Sequence, residues 1–111
     1  MTNWIEVGMA DSILRLGART VRTKSGDIAV FRTTDDSYYA LDDKCPHRGG
    51  PLSQGLVHGH KVTCPLHNFV IELKSGEAVA PDEGCVRRHE VKVEQGRLYL
   101  AINSGGAQAA A

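Results

Sequence analysis

The sequence predicts an all-β domain, an antiparallel β sandwich or barrel with a loop-rich lobe inserted into it. Three observations carry this. Short β-type stretches recur along the chain, turn signals separate them, and one segment, about 43–68, interrupts the pattern.

Trp4 to Val7 alternates as a half-buried strand does. Met9 to Leu16 is the one stretch that fits a short helix, and Gly17 stops it early. Ala18 to Thr23 and Ile28 to Thr33 read as alternating strands joined across Lys24-Ser25-Gly26-Asp27. Tyr38 to Leu41 follows the acidic turn Asp35-Asp36, with Tyr38 and Tyr39 on opposite faces, one packed and one exposed. Lys61 to Thr63, Phe69 to Leu73, Glu90 to Val93 and Arg97 to Ile102 complete the set. Ser75-Gly76 and Gln95-Gly96 read as hairpin turns. Val91, Val93, Leu98, Leu100 and Ile102 mark period-two faces.

The segment 43–68 holds three of the four prolines and four of the five histidines. It reads as a lobe of loops on a rigid scaffold, where binding sites are usually built. The domain is expected over 1–103. The stretch 104–111, Ser-Gly-Gly-Ala-Gln-Ala-Ala-Ala, has nothing to bury and is expected to be a disordered tail.

A chain of 111 residues suits one compact domain. One Trp, three Tyr and two Phe leave its core to aliphatic side chains. Thirteen Lys plus Arg balance thirteen Asp plus Glu, so the overall field suggests neither nucleic acid nor a membrane surface as partner. Between Cys45 and Lys74, three basic residues (Arg48, Lys61, Lys74) face one acid (Glu72), which reads as a solvated face. No run of about 18 apolar residues is present to span a membrane. The start, Met1-Thr-Asn-Trp-Ile-Glu, lacks the basic and apolar regions of a signal peptide, so the cytoplasm is expected. Three cysteines cannot all pair, and in that compartment cysteine more often means metal or redox chemistry.

Two segments of the lobe have matching form: Cys45-Pro46-His47-Arg48-Gly49-Gly50-Pro51 and Cys64-Pro65-Leu66-His67-Asn68. Each offers one thiolate and one imidazole, with sixteen residues between His47 and Cys64. Such a set fits a two-iron [2Fe–2S] site in which one iron takes Cys45 and Cys64 and the other His47 and His67. Tetrahedral Zn²⁺ also accepts two Cys and two His, although zinc sites usually pair like ligands along the chain. A Cys–His catalytic dyad is a further reading, but no oxyanion hole or orienting third group accompanies it.

The segment from Lys44 to Gly55, with Val62 to Phe69, resembles a Rieske domain, and the likeness covers almost the whole chain except the tail. More narrowly, Glu72 to Cys85, including Ala80-Pro-Asp-Glu-Gly-Cys85, is similar to the small subunit of NAD(P)H-dependent assimilatory nitrite reductase. The resemblance implies three small antiparallel sheets with a [2Fe–2S] cluster at the tip of the lobe, held by Cys45, His47, Cys64 and His67. It also implies one-electron transfer to a large subunit bearing flavin, a [4Fe–4S] cluster and sirohaem, where nitrite becomes ammonia. The alternative is a free Rieske ferredoxin serving a ring-hydroxylating dioxygenase or related oxygenase.

High-potential Rieske proteins carry a disulfide between the cluster loops and hydroxyl donors to cluster sulfur. The matching positions here are Gly50 and Leu66 for the bridge, and Phe69 and Ile71 for the hydroxyls. None can serve, which implies a potential near the low end of the Rieske range, about −150 mV rather than +300 mV. The free nitrogens of the ligand imidazoles imply coupling of the midpoint to alkaline pH.

Arg48, beside His47, is the candidate contact for a redox partner. Cys85 is expected to be a part-buried structural thiol, and His58 and His60 to flank a polar hairpin turn rather than form a second metal site. His89 is expected at the surface. No Gly-x-Gly-x-x-Gly fingerprint is present, so NAD(P)H binding is not expected on this chain.

Overall fold

The computed structural model describes residues 4–23, 26–45, 50–65, 69–79 and 84–101. These form nine strands: β1 (Trp4–Met9), β2 (Ala18–Thr23), β3 (Gly26–Arg32), β4 (Tyr38–Asp42), β5 (Leu56–His58), β6 (Lys61–Thr63), β7 (Val70–Glu72), β8 (Arg88–Glu94) and β9 (Arg97–Ala101). All pairings are antiparallel. The ladders β1-β9-β8 and β4-β3-β2 meet through a short seam, Ala40↔His89 and Leu41↔Arg88, and so form one six-stranded sheet. The second sheet, three-stranded in the order β5-β6-β7, is the lobe.

The six-stranded sheet is barrel-like because its strands bury one shared face. Ile28, Val30, Ala40, Leu98 and Leu100 pack with Ile13, and Val7, Val21, Tyr38 and Val91 complete the cluster, so all six strands contribute. At the open side of the barrel, Arg19 of β2 reaches the β1 bulge at Gly8. A Cβ built on Gly8 would lie 2.7 Å from the Arg19 guanidinium, and the φ of +121° at Gly8 suits glycine. Arg19 also donates to Ser12 Oγ at 3.2 Å.

Strand β3 departs from simple alternation. Ile28 and Val30 face the barrel interior, while Ala29 and Phe31 face a second core, so Ile28–Phe31 is apolar and buried throughout. That second core fills the space between barrel and lobe. It joins Ala29, Phe31 and Leu41 of the barrel to Leu52, Val57, Val62, Phe69, Ile71, Leu73 and Val86, and it contains Cys45 and Cys64.

Several sequence expectations change. The helix expected over Met9–Leu16 is a single 3-10 turn at Ala10–Ser12. Ile13 leaves it in an extended conformation to fill the barrel, its carbonyl accepts from Arg32 Nη1 at 2.7 Å, and Leu16 has a φ of +64°. The lobe extends past 68, because β7 is the third strand of its sheet, with Val62 opposite Ile71. Strand β5 and the 3-10 turn Leu52–Gln54 have no counterpart in the sequence reading. Val93 is exposed rather than part of a packed face.

Both turn expectations hold. Gln95 and Gly96 take φ of +52° and +76° between the paired Glu94 and Arg97, as a two-residue hairpin with right-handed twist needs. Gly76, at φ +78°, passes so close to the Val86 carbonyl that a Cβ would lie 2.5 Å from that oxygen. The expected tail, 104–111, lies outside the described residues.

Candidate metal centre

Cys45 follows β4 after two residues, and Cys64 follows β6 directly. Each cysteine stands at the foot of a loop closed in the same way. Cys45 N–H donates to the Gly50 carbonyl at 2.8 Å, and Cys64 N–H donates to the Phe69 carbonyl at 2.7 Å. Both bonds bridge from a cysteine to the fifth residue beyond it. The two loops share a closure despite their different sequences.

Both cysteines are buried, at 1% and 0% exposure, and both belong to the core between barrel and lobe. None of the chain's three cysteines is in a disulfide. Two thiols brought into one apolar cluster by separate loops suit a shared soft metal centre, since burial keeps water from the sulfurs. His47, Arg48 and His67 lie outside the described residues.

Gly55 lets the chain leaving the first loop pass close against β6. A Cβ there would lie 2.4 Å from the Thr63 carbonyl, so a side chain would push the first loop's exit away from the strand that leads to Cys64. Of the residues matched to hydroxyl donors, Phe69 is 7% exposed and Ile71 fully buried, and both pack in the same cluster as the cysteines.

Other singled-out residues are more engaged than the sequence suggests. His60 is not simply part of a polar turn: its Nδ1 lies 3.0 Å from Tyr39 Oη and its Nε2 3.1 Å from Asp35 Oδ2, so it ties the lobe's hairpin to the barrel. Because a carboxylate only accepts, Nε2 carries the proton and Nδ1 accepts from the tyrosine while the ring is neutral. Asp35 is held down to about 2 by the Thr33 hydroxyl first and by His60 second. His58 Nε2 lies 2.7 Å from Thr63 Oγ1. Among the described residues no group of three or more His, Cys, Asp or Glu gathers as a second metal site. Tyr38 and Tyr39 do take opposite faces, but both are half-buried, in the barrel core and the lobe core respectively.

Two expectations reverse. His89 is buried because its strand pairs with β4 there, with Ala40 opposite it, and its Nε2 lies 2.7 Å from Asp42 Oδ1 across the seam. Cys85 is exposed, and its backbone pairs with Glu77. Sequence reasoning also missed Asp43 and Ser53, which close the first loop from outside. The signal was there: Asp and Ser are the residue types that capture backbone N–H groups at turns.

Comparison with known proteins bears on the family and the fold. The family model for the Rieske [2Fe–2S] domain matches residues 3–93. The 3-phenylpropionate/cinnamic acid dioxygenase ferredoxin subunit of Photorhabdus laumondii is 33% identical over 89 residues, covering 78% of this chain and 83% of that protein. Cholesterol 7-desaturase nvd of Hemicentrotus pulcherrimus is 32% identical over 77 residues, and the chain spans 16% of that protein's length. Among solved structures, a Mycobacterium tuberculosis protein described as an NADH-dependent nitrite reductase small subunit superposes with a TM-score of 0.85 at 21% identity, covering 94% of this chain and 98% of that one. No helix among the described residues is long and apolar enough to cross a membrane.

Proposed function

The chain belongs to the Rieske [2Fe–2S] domain family, and from that premise we propose that Cys45, His47, Cys64 and His67 hold its cluster and that it passes single electrons to a separate redox protein. The carrying observation is the pair of matched loops, each with a buried cysteine at its foot and both cysteines in one apolar core. Cys45 and Cys64 would ligate one iron, and His47 and His67 the other. When bound, the cluster supplies one-electron oxidation and reduction.

The chain's own residues do the rest. The backbone N–H groups of Cys45 and Cys64 hold the loops closed, and Leu52, Phe69 and Ile71 keep water from the thiolates. Arg48, next to His47 in sequence, is the proposed contact for an acidic partner surface.

Iron and acid-labile sulfide analysis with electron paramagnetic resonance of the reduced protein tests the ligand set. Cys45→Ser and His67→Ala should each abolish the Rieske spectrum. A colourless protein that binds only zinc would sink it.

For the partner we propose the large subunit of an NAD(P)H-dependent nitrite reductase, with flavin, [4Fe–4S] cluster and sirohaem, in the cytoplasm. The resemblance of Glu72 to Cys85 supports this reading. The second reading, a ferredoxin feeding a ring-hydroxylating oxygenase, is favoured by the 33% identity to a dioxygenase ferredoxin subunit. Purification of the tagged protein from its own cells grown on nitrate separates them. A co-purifying sirohaem protein with NAD(P)H–nitrite activity supports the first; a red-brown protein arriving alone that reduces an oxygenase supports the second.

A further inference from the structure

The two cluster loops are closed alike at their feet but anchored differently. The second loop, from Cys64 to Phe69, is the end of a β hairpin, and the β6–β7 ladder (Lys61↔Glu72, Val62↔Ile71, Thr63↔Val70) holds both of its feet in register. Among the described residues the first loop has no such ladder. It leaves β4 at Asp42 and runs into the 3-10 turn Leu52–Gln54, two elements that do not pair with each other.

Outside the Cys45–Gly50 bond, the Asp43 carboxylate joins the two ends of the loop instead. Asp43 Oδ1 accepts the Ser53 backbone N–H at 2.7 Å, and Asp43 Oδ2 accepts the Ser53 hydroxyl at 2.7 Å. Thr20 Oγ1, on β2, lies 3.1 Å from Asp43 Oδ2 and 3.0 Å from Ser53 Oγ, which pins the pair to the barrel. Asp43 N–H donates to the Asp27 carbonyl at 3.0 Å, so its own backbone is fixed as well. Hydrogen bonds to an ionised acceptor are about twice as strong as neutral ones. The 43–53 ring therefore encloses the inner ring, Cys45 to Gly50, and sets how far apart its feet stand.

We propose that Asp43 is a positioning residue for the cluster. Acting through Ser53 and Thr20, it holds the feet of the first loop, where Cys45 stands, at the span that the ligand set requires. This rests on the reading of Cys45, His47, Cys64 and His67 as the ligand set. Asp43 does for the first loop what a β ladder does for the second. Losing it loosens one pair of ligands and leaves the other in place.

The test compares the holoprotein with Asp43→Ala, Asp43→Asn, Ser53→Ala and Thr20→Val, and with His60→Ala as a control that cuts a lobe–barrel tie elsewhere. The readouts are the rate at which an iron chelator bleaches the cluster, the electron paramagnetic resonance g values, and the midpoint potential.

Asp43→Ala should lose its cluster about tenfold faster or more, the size expected from removing hydrogen bonds to a charged group. Its g values should shift as the imidazole-bound iron relaxes. Asp43→Asn keeps an acceptor for the Ser53 N–H and should recover most of the wild-type rate, while Ser53→Ala and Thr20→Val should fall between. Should Asp43→Ala fail to fold, Ser53→Ala and Thr20→Val carry the test by the same readouts. Wild-type bleaching rates and g values in these variants would overturn the proposal, as would equally fast loss in His60→Ala. A wild-type chain that takes up no [2Fe–2S] cluster would instead sink the ligand reading beneath it.

Discussion

His89 Nε2 lies 2.7 Å from Asp42 Oδ1 across the two-pair seam that joins the halves of the barrel. Arg87 reaches the same carboxylate at 3.2 Å. Burial pushes the His89 imidazole below its ordinary value, with Asp42 acting in the opposite direction. The folded state therefore binds a proton at His89 less readily than the unfolded state does. The neutral ring's contribution is complete above about pH 6.5 and declines as pH falls through that value toward the folded one. Asp42→Asn removes the compensating charge. It should lower the unfolding free energy by ~1–2 kcal/mol at neutral pH and steepen the further loss on acidification. Urea unfolding at pH 7.5 and pH 5.5 measures both, and parallel pH dependences in the two proteins would contradict this account.

Asp35 should titrate at about 2. Its favourable interactions are complete above the ordinary carboxylate range and are lost as pH falls through about 2. Thr33→Val removes the largest cause and should bring the titration back toward 3.8. His60→Gln should move it less. Carboxyl carbon NMR on the folded protein follows both, and an unchanged midpoint in Thr33→Val would show that the hydroxyl is not responsible.

Leu52 is fully buried in the core that holds Cys45 and Cys64. Leu52→Ala should destabilise the domain by about 2–5 kcal/mol, as measured by denaturant unfolding. Because Leu52 opens the turn that carries Ser53, cluster retention should fall with it. A loss under about 1 kcal/mol would mean that the lobe closes over the gap.

The midpoint potential should lie near the low end of the Rieske range, about −150 mV. Gly50 and Leu66 cannot form a bridge between the loops, and Phe69 and Ile71 bring no hydroxyl to cluster sulfur. Protein-film voltammetry gives the value directly, and one above about +100 mV would contradict the argument. Ile71→Tyr should raise it if the new hydroxyl reaches a sulfur.

The repeated Cys-Pro and Cys/His pattern, the strand periods and the Gln95-Gly96 turn were all legible in the sequence, because ligand type, alternation and left-handed turn geometry are local properties. The buried position of His89 was not, since nothing near Arg87-Arg88 in the chain announces Asp42 forty-seven residues away. Nor was the burial of both faces of β3: Ile28-Ala29-Val30-Phe31 could be read as alternating until the lobe covered its second side. The Met9–Leu16 stretch has helical composition but gives up the helix so that Ile13 can plug the barrel, a tertiary gain that outweighs weak local preference.

By itself, then, the sequence determined the class of fold and the kind of chemistry, through short-range pattern and the choice of donor atoms. Only the tertiary structure decided that two separate loops bury their cysteines in one core. It alone also decided that Asp43 reaches Ser53, that His60 reaches Tyr39 and that His89 reaches Asp42. Such contacts depend on where strands distant in the chain come to lie, and that is set by the packing of the whole domain.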